Sequence, residues 1–212
     1  MPGTVSSRDK ILDVAEALFA RRGLTGVGLR EVAARSGLGK SSLFHHFRSK
    51  SELYLAVLQR VFERLDEALA PSVAASGDPF ARLVAATDAL IDALAEHPTT
   101  ARLLLRGLFE DDEHPSEAQA ALQSAERSVD RLVARLDGLI REGIASGAFR
   151  SASPGHVLQT LIGATVYHFA SGEFGEQLIG SPLLSAEAVR RRKEEVKSLL
   201  HHGLAATAGA GA

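Results

Sequence analysis

The run Leu29-Arg-Glu-Val-Ala-Ala-Arg-Ser-Gly-Leu-Gly-Lys-Ser-Ser-Leu-Phe-His-His-Phe-Arg-Ser-Lys-Ser-Glu-Leu53 holds two short helical patterns with a break between them. In the first, Leu29 to Arg35, the residues Leu29, Val32 and Ala33 share one face. Ser36-Gly37-Leu38-Gly39 interrupts it, because glycine accepts the backbone angles of a tight turn. A second helix, Lys40 to about His46, buries Leu43 and Phe47 and turns Lys40, Ser41, Ser42, His45 and His46 outward. Two short helices joined by a glycine-bearing turn, the second polar and basic, fit a helix-turn-helix that lays its second helix in a DNA major groove.

On the amino-terminal side, Met1 to Val5 reads as a disordered arm. Ser6 with Asp9 starts a helix carrying Ile11, Leu12, Ala15, Leu18 and Phe19 at helical spacing, which Gly23 stops. On the other side, Ser49 and Glu52 form a capping box for a long helix with a stripe from Leu53 to Leu69, expected to end at Pro71. Asp78-Pro79 opens a fifth helix to about Glu96, and His97-Pro98 a sixth through Phe109. The acidic cluster Glu110, Asp111, Asp112 and Glu113 reads as a solvated loop. A seventh helix runs from Ser116 to near Gly147, an eighth over 154–171 and a ninth over 186–202, with a loop from Gly172 to Ser185. The expectation is an all-α, nine-helix fold. Its parts are a three-helix head over 1–52 with a connecting helix over 50–70, a helical body over 53–203, and a mobile Ala/Gly tail over 204–212. No internal repeat is found.

Charge divides the chain in the same place. Residues 1–60 hold 10 Lys and Arg against 5 Asp and Glu, and residues 61–212 hold 14 against 21, so a net charge of -2 covers a basic head and an acidic body. Clustered positive charge at one end is the footprint of phosphate binding. The absence of cysteine excludes disulfides and thiolate metal sites. No window approaches the run of about 20 apolar residues that a membrane span needs. Gly39-Lys40-Ser41 is no phosphate loop, because Ala34 stands where that motif needs a glycine. His45-His46 and His201-His202 are adjacent pairs pointing about 100° apart on a helix, so neither chelates as an i, i+4 pair would. Neither a metal nor a cofactor is expected, and no catalytic residues are assigned.

The same residues resemble the amino-terminal signature of the TetR/AcrR family of bacterial transcription regulators. The resemblance rests on Arg30-Glu-Val-Ala33, Ser36-Gly-Leu38, Leu43-Phe-His-His-Phe47, and Ser49-Lys50 with Leu53. It implies that Arg30, Lys40, Ser41 and His45 reach base edges, while Ser42, Phe44, His46 and Lys50 stand near backbone phosphates. Four positions depart from the family's pattern. Val27 and Gly28 replace a usual Thr and Ser, Gly39 replaces a capping Ser, and Phe44 replaces a tyrosine whose hydroxyl reaches phosphate, which shifts anchoring toward Lys50 and Arg48.

The resemblance further implies a homodimer on double-stranded operator DNA, paired through the helices over 154–171 and 186–202, in the bacterial cytoplasm. The body is expected to enclose an unknown small-molecule effector, with Thr87, Thr100, Phe109, Tyr167 and His168 as lining, and ligand binding is expected to release the operator. Two other readings stand beside this one. They are a regulator governed by a protein partner or by abundance, and a helical enzyme with a vestigial head.

Overall fold

The computed structural model describes residues 6–109 and 114–206, without the side chains of Leu108 and Phe109. The expected arm at Met1–Val5, the acidic cluster at 110–113 and the tail beyond 206 lie outside the described residues. The helices are α1 (Ser7–Arg22), α2 (Leu29–Arg35), α3 (Lys40–His46), α4 (Lys50–Ala74), α5 (Pro79–Glu96), α6 (Pro98–Phe109) and α7 (Gln119–Ala145), the last preceded by a 3-10 turn at Ser116–Ala118. Then come α8 (Pro154–Ile162), a π-helical segment (Gly163–Tyr167), α9 (His168–Ala170), α10 (Glu173–Ile179) and α11 (Ala186–Leu204). Among the described residues there is no strand, only one isolated bridge between Phe149 and Ala205.

The chain packs as two units, one collecting Met1–Glu63 and Thr99–Val129, the other Arg64–Pro98 and Asp130–Ala212. The division therefore falls within α4 and within α7. In the first unit the core comes from Ile11, Leu12 and Phe19 of α1, Val32 of α2, Leu43 of α3, and Leu53, Tyr54 and Val57 of α4, each at most 1% exposed. Phe19 meets Tyr54 edge to face at 5.1 Å. Burying each of these large side chains contributes on the order of 1.5–3 kcal/mol. Within this apolar frame sits one carboxylate. Glu16 Oε2 accepts from Arg60 Nη2 of α4 at 2.8 Å, and Oε1 accepts from the hydroxyls of Thr99 (3.2 Å) and Thr100 (3.5 Å) of α6. One buried acid thus joins α1, α4 and α6.

In the second unit Leu83, Ile91 and Leu94 of α5 are fully buried, as are Leu139 and Ile140 of α7 to within 2%, while Val196 and Leu200 mark the inner face of α11. Lys193 Nζ pairs with Asp92 at 2.6 Å, tying α11 to α5. Phe80 stacks edge-on against both Phe149 and His201.

Four features differ from what the sequence suggests. Helix α4 passes through Pro71 to Ala74, forgoing the one hydrogen bond that an N–H at 71 would give the Glu67 carbonyl, and in its last turn the Val73 carbonyl accepts from Arg82 Nη2. The eighth helix widens into a π segment at Gly163–Tyr167. Within the expected loop of 172–185 lies α10, whose Phe174, Leu178 and Ile179 are 60%, 76% and 47% exposed, so no buried face gave it a periodic signature. The first residues of the expected mobile tail over 204–212 are held in the fold: Leu204 is buried in α11, and Ala206 N–H donates to the Ala148 carbonyl.

Candidate nucleic-acid interface

Helix α1 begins at Ser6, whose Oγ accepts from the Asp9 N–H at 3.1 Å, and ends at Gly23. Helix α2 ends in a Schellman turn. The Leu38 N–H bonds the Ala33 carbonyl, the Gly37 N–H bonds the Ala34 carbonyl, and Gly37 sits at φ 69°. That left-handed residue fixes the angle at which α3 leaves α2. Gly39 is extended (φ -69°, ψ 153°) and caps α3 without a side chain, as Gly28 does for α2.

With α2 and α1 beneath it, α3 is oriented by a single anchor. Leu43 is 0% exposed, and successive residues turn about 100° around the axis. Ser41 and His45 therefore lie roughly 160° from Leu43, pointing straight out. Lys40 and Phe44 occupy one flank and Ser42 and His46 the other. The accessibilities agree: Lys40, Ser41, Phe44 and His45 are exposed, and Ser42 and His46 are half-buried. Lys40 Nζ lies 5.4 Å from the centre of the Phe44 ring, so the aromatic ring holds the ammonium in place. Arg30 is exposed on α2 and has no acidic partner among the described residues.

The neighbouring cations are distributed differently. Glu31 pairs with Arg22 and Arg35, and the hydrogen bond from Arg22 holds its carboxyl below the usual range. Lys50 Nζ donates to the Thr25 carbonyl at 3.4 Å, which leaves it near the loop before α2 but partly engaged. Of the expected capping box at the start of α4, the Ser49 half is present, and Glu52 reaches one residue further back than the cap. Glu52 N–H donates to Ser49 Oγ, while the Glu52 carboxylate accepts from the Arg48 N–H. All eight residues expected at the interface thus lie in the first unit, between Arg30 of α2 and the first turn of α4.

The five expected lining residues are scattered. Thr87 is buried but spends its hydroxyl on the Leu83 carbonyl, and Thr100 faces Glu16 in the other unit. The Phe109 side chain lies outside the described residues. Tyr167 is 55% exposed, whereas its neighbour His168 is 7% exposed and lines a cavity. Sequence reading missed a smaller cavity of about 120 Å³ in the first unit, walled by Tyr54, Leu58 and Phe62 of α4, Gly107 of α6, His114, and Leu122 of α7. It also missed Glu16, although the spacing of Leu12, Ala15, Glu16 and Phe19 placed that acid on the buried face.

Residues 11–57 match the family model described as bacterial regulatory proteins, tetR family, and residues 79–199 match the tetracyclin repressor-like C-terminal domain. The HTH-type transcriptional activator FasR of Mycolicibacterium smegmatis is 38% identical over 116 residues, 55% of this chain and 51% of its own length. The chain thus spans about half the length of that curated relative. Among solved structures, the ketosteroid transcriptional regulator KstR2 of Mycobacterium tuberculosis superposes with a TM-score of 0.74 at 21% identity, over 95% of this chain and 96% of that one. AibR, solved with isovaleryl coenzyme A and operator DNA, gives 0.72 at 17% identity over 92% and 97%. These two likenesses are likenesses of fold.

Proposed function

This chain belongs to the TetR family of bacterial regulatory proteins, and from that premise we propose that it is a homodimeric, operator-binding repressor of transcription in the bacterial cytoplasm, released by a small molecule. The observation that carries this reading is the orientation of α3, with Ser41 and His45 opposite the buried Leu43 and cationic or polar flanks on both sides. Laid in a major groove, that geometry points Ser41, His45, Lys40 and Arg30 at base edges. Ser42, His46 and Lys50 then stand toward the phosphates, where contacts fix register. Phe44 cannot donate a hydrogen bond, so its part is to pack beside phosphate and to hold Lys40.

A seven-residue helix reads few bases, so specificity calls for two copies about a two-fold axis. The surface for pairing is an apolar groove of about 360 Å³ between α8 and α11, walled by Val157, Leu161, Ala164, Val196, Leu199 and Leu200. Leu199 is 57% exposed there, and a second copy of the chain would cover it. The effector's place is the cavity beside Tyr54 and His114. Its α4 wall starts four residues after Lys50, so an occupant that favours one setting of α4 changes how the head is presented. A coupling of about 1–3 kcal/mol is typical of such linked sites.

Selection from a random DNA pool tests the reading. The expected product is a palindrome with half-sites about one helical turn apart or a multiple of that spacing, and no enrichment would refute operator recognition. With the selected site in hand, Lys50→Ala should weaken all sequences alike and lower the salt slope by about 1, whereas Lys40→Ala should change which bases are preferred. FasR carries the name of an activator, which favours activation as a second reading. Transcription in vitro from a promoter bearing the selected site separates the two.

A further inference from the structure

The second unit contains a cavity of about 300 Å³ that neither the operator-reading face nor the α8–α11 groove uses. Its wall combines His168, Ser181, Arg191 and Arg192 with the apolar Ile179 and Leu183. Arg192 is half-buried, and its Nε (3.1 Å) and Nη2 both donate to the Ala164 carbonyl, which belongs to the π-helical turn. Such wide turns recur at functional sites. Among the described residues no carboxylate pairs directly with Arg192. Burial pushes its pKa down, and Glu195 opposes this only through space. Glu195 itself lies 3.9 Å from Arg191.

The charges in the wall therefore do not cancel. Arg191 and Glu195 offset each other, and Arg192 is left with a neutral carbonyl as its hydrogen-bond partner. His168 adds no charge at neutral pH, because burial first and the neighbouring Arg192 second lower its pKa to about 4. Its Nε2 has no hydrogen-bond partner among the described residues. A guanidinium kept partly out of water favours an anion that can pair with it. One net positive charge matches one negative charge, and Glu195 in the same wall disfavours a dianion. The rest of the surface, Ile179, Leu183 and Ala188, suits a hydrocarbon chain.

We propose that this cavity binds a small aliphatic monocarboxylate, its carboxylate group on Arg192 beside His168 and its chain against Ile179 and Leu183. The site stands apart from operator recognition and holds or fails independently of it.

Calorimetric titration of hexanoate into the full chain tests it. Saturable binding at millimolar concentration or better is expected, with no saturable binding of hexan-1-ol or inorganic phosphate. Arg192→Gln should weaken hexanoate at least about tenfold, the loss of one charge-assisted contact. Because Arg192 also ties α11 to the π turn, Ile179→Trp provides a second variant. It fills the apolar end from a side chain that is 47% exposed and should abolish binding with the melting temperature retained. In the unmodified chain, the 15N resonances of the His168 ring should move on addition of hexanoate. Absence of saturable binding, equal binding of hexan-1-ol, or an unmoved His168 signal would each overturn the site. Operator binding measured on the same samples shows whether the proposed function fails separately.

Discussion

At the level of single residues, two glycines two positions apart do opposite things. Gly37 is in the left-handed region at φ 69°, where any side chain is strained, whereas Gly39 is extended at φ -69° with no atom within 4 Å of where a Cβ would stand. Gly39→Ser should therefore supply the missing cap of α3 and stabilise the protein by about 0.3 kcal/mol, seen as a higher denaturant midpoint. Gly37→Ser should cost about 1 kcal/mol. His168 offers a test in pH. Its folded pKa, about 4, lies below the ordinary 6.5, so the unfolded chain takes up its proton first as pH falls. The stability it confers is complete above about pH 6.5 and is lost toward pH 4, by about 1–3 kcal/mol near pH 5. The charged groups that share its cavity are Arg191, Arg192 and Glu195. Thermal melts of the protein and His168→Gln between pH 7.5 and 5 should converge as pH falls if this group is responsible.

At the level of elements, the Glu16 network binds three helices through a charge that is only 6% exposed. Arg60→Ala would remove the guanidinium that meets that carboxylate at 2.8 Å and should cost about 2–4 kcal/mol in denaturant unfolding. The double variant Arg60→Met, Glu16→Met should recover part of the loss, since it removes both charges of that pair together. The helices themselves were largely legible in sequence. Ser6, Ser49 and Asp78 announced three of their starts, and α1, α2, α3 and α5 lie within about a residue of the expected spans. What stayed hidden had physical causes. Helix α10 turns its large apolar residues outward, so periodicity had nothing to register. The π segment leaves an apolar pattern much like that of an α-helix. In the site, α3 was readable because one buried leucine sets every other direction. The cavities were not, because in one Tyr54 meets His114, and in the other His168 meets Arg192, only through packing between separate elements.

At the level of the whole molecule, pairing of two copies and recognition of DNA should fail together. Leu199→Glu places a charge in the α8–α11 groove and should convert the proposed dimer to a monomer in sedimentation, with operator affinity falling roughly a hundredfold as the second contact becomes independent of the first. An unchanged dimer would locate pairing elsewhere. The way the chain distributes itself between units also bears on how such regulators can be rewired. The unit holding the helix-turn-helix includes Thr99–Val129, and α4 and α7 each run into both units. An exchange of recognition heads between related regulators at a single splice point near residue 52 would separate Glu16 of α1 from both Arg60 of α4 and the α6 hydroxyls that meet it. A chimera that takes residues 1–63 and 99–129 from the donor keeps those contacts within one parentage, so recombination should succeed with these three splice points more often than with one.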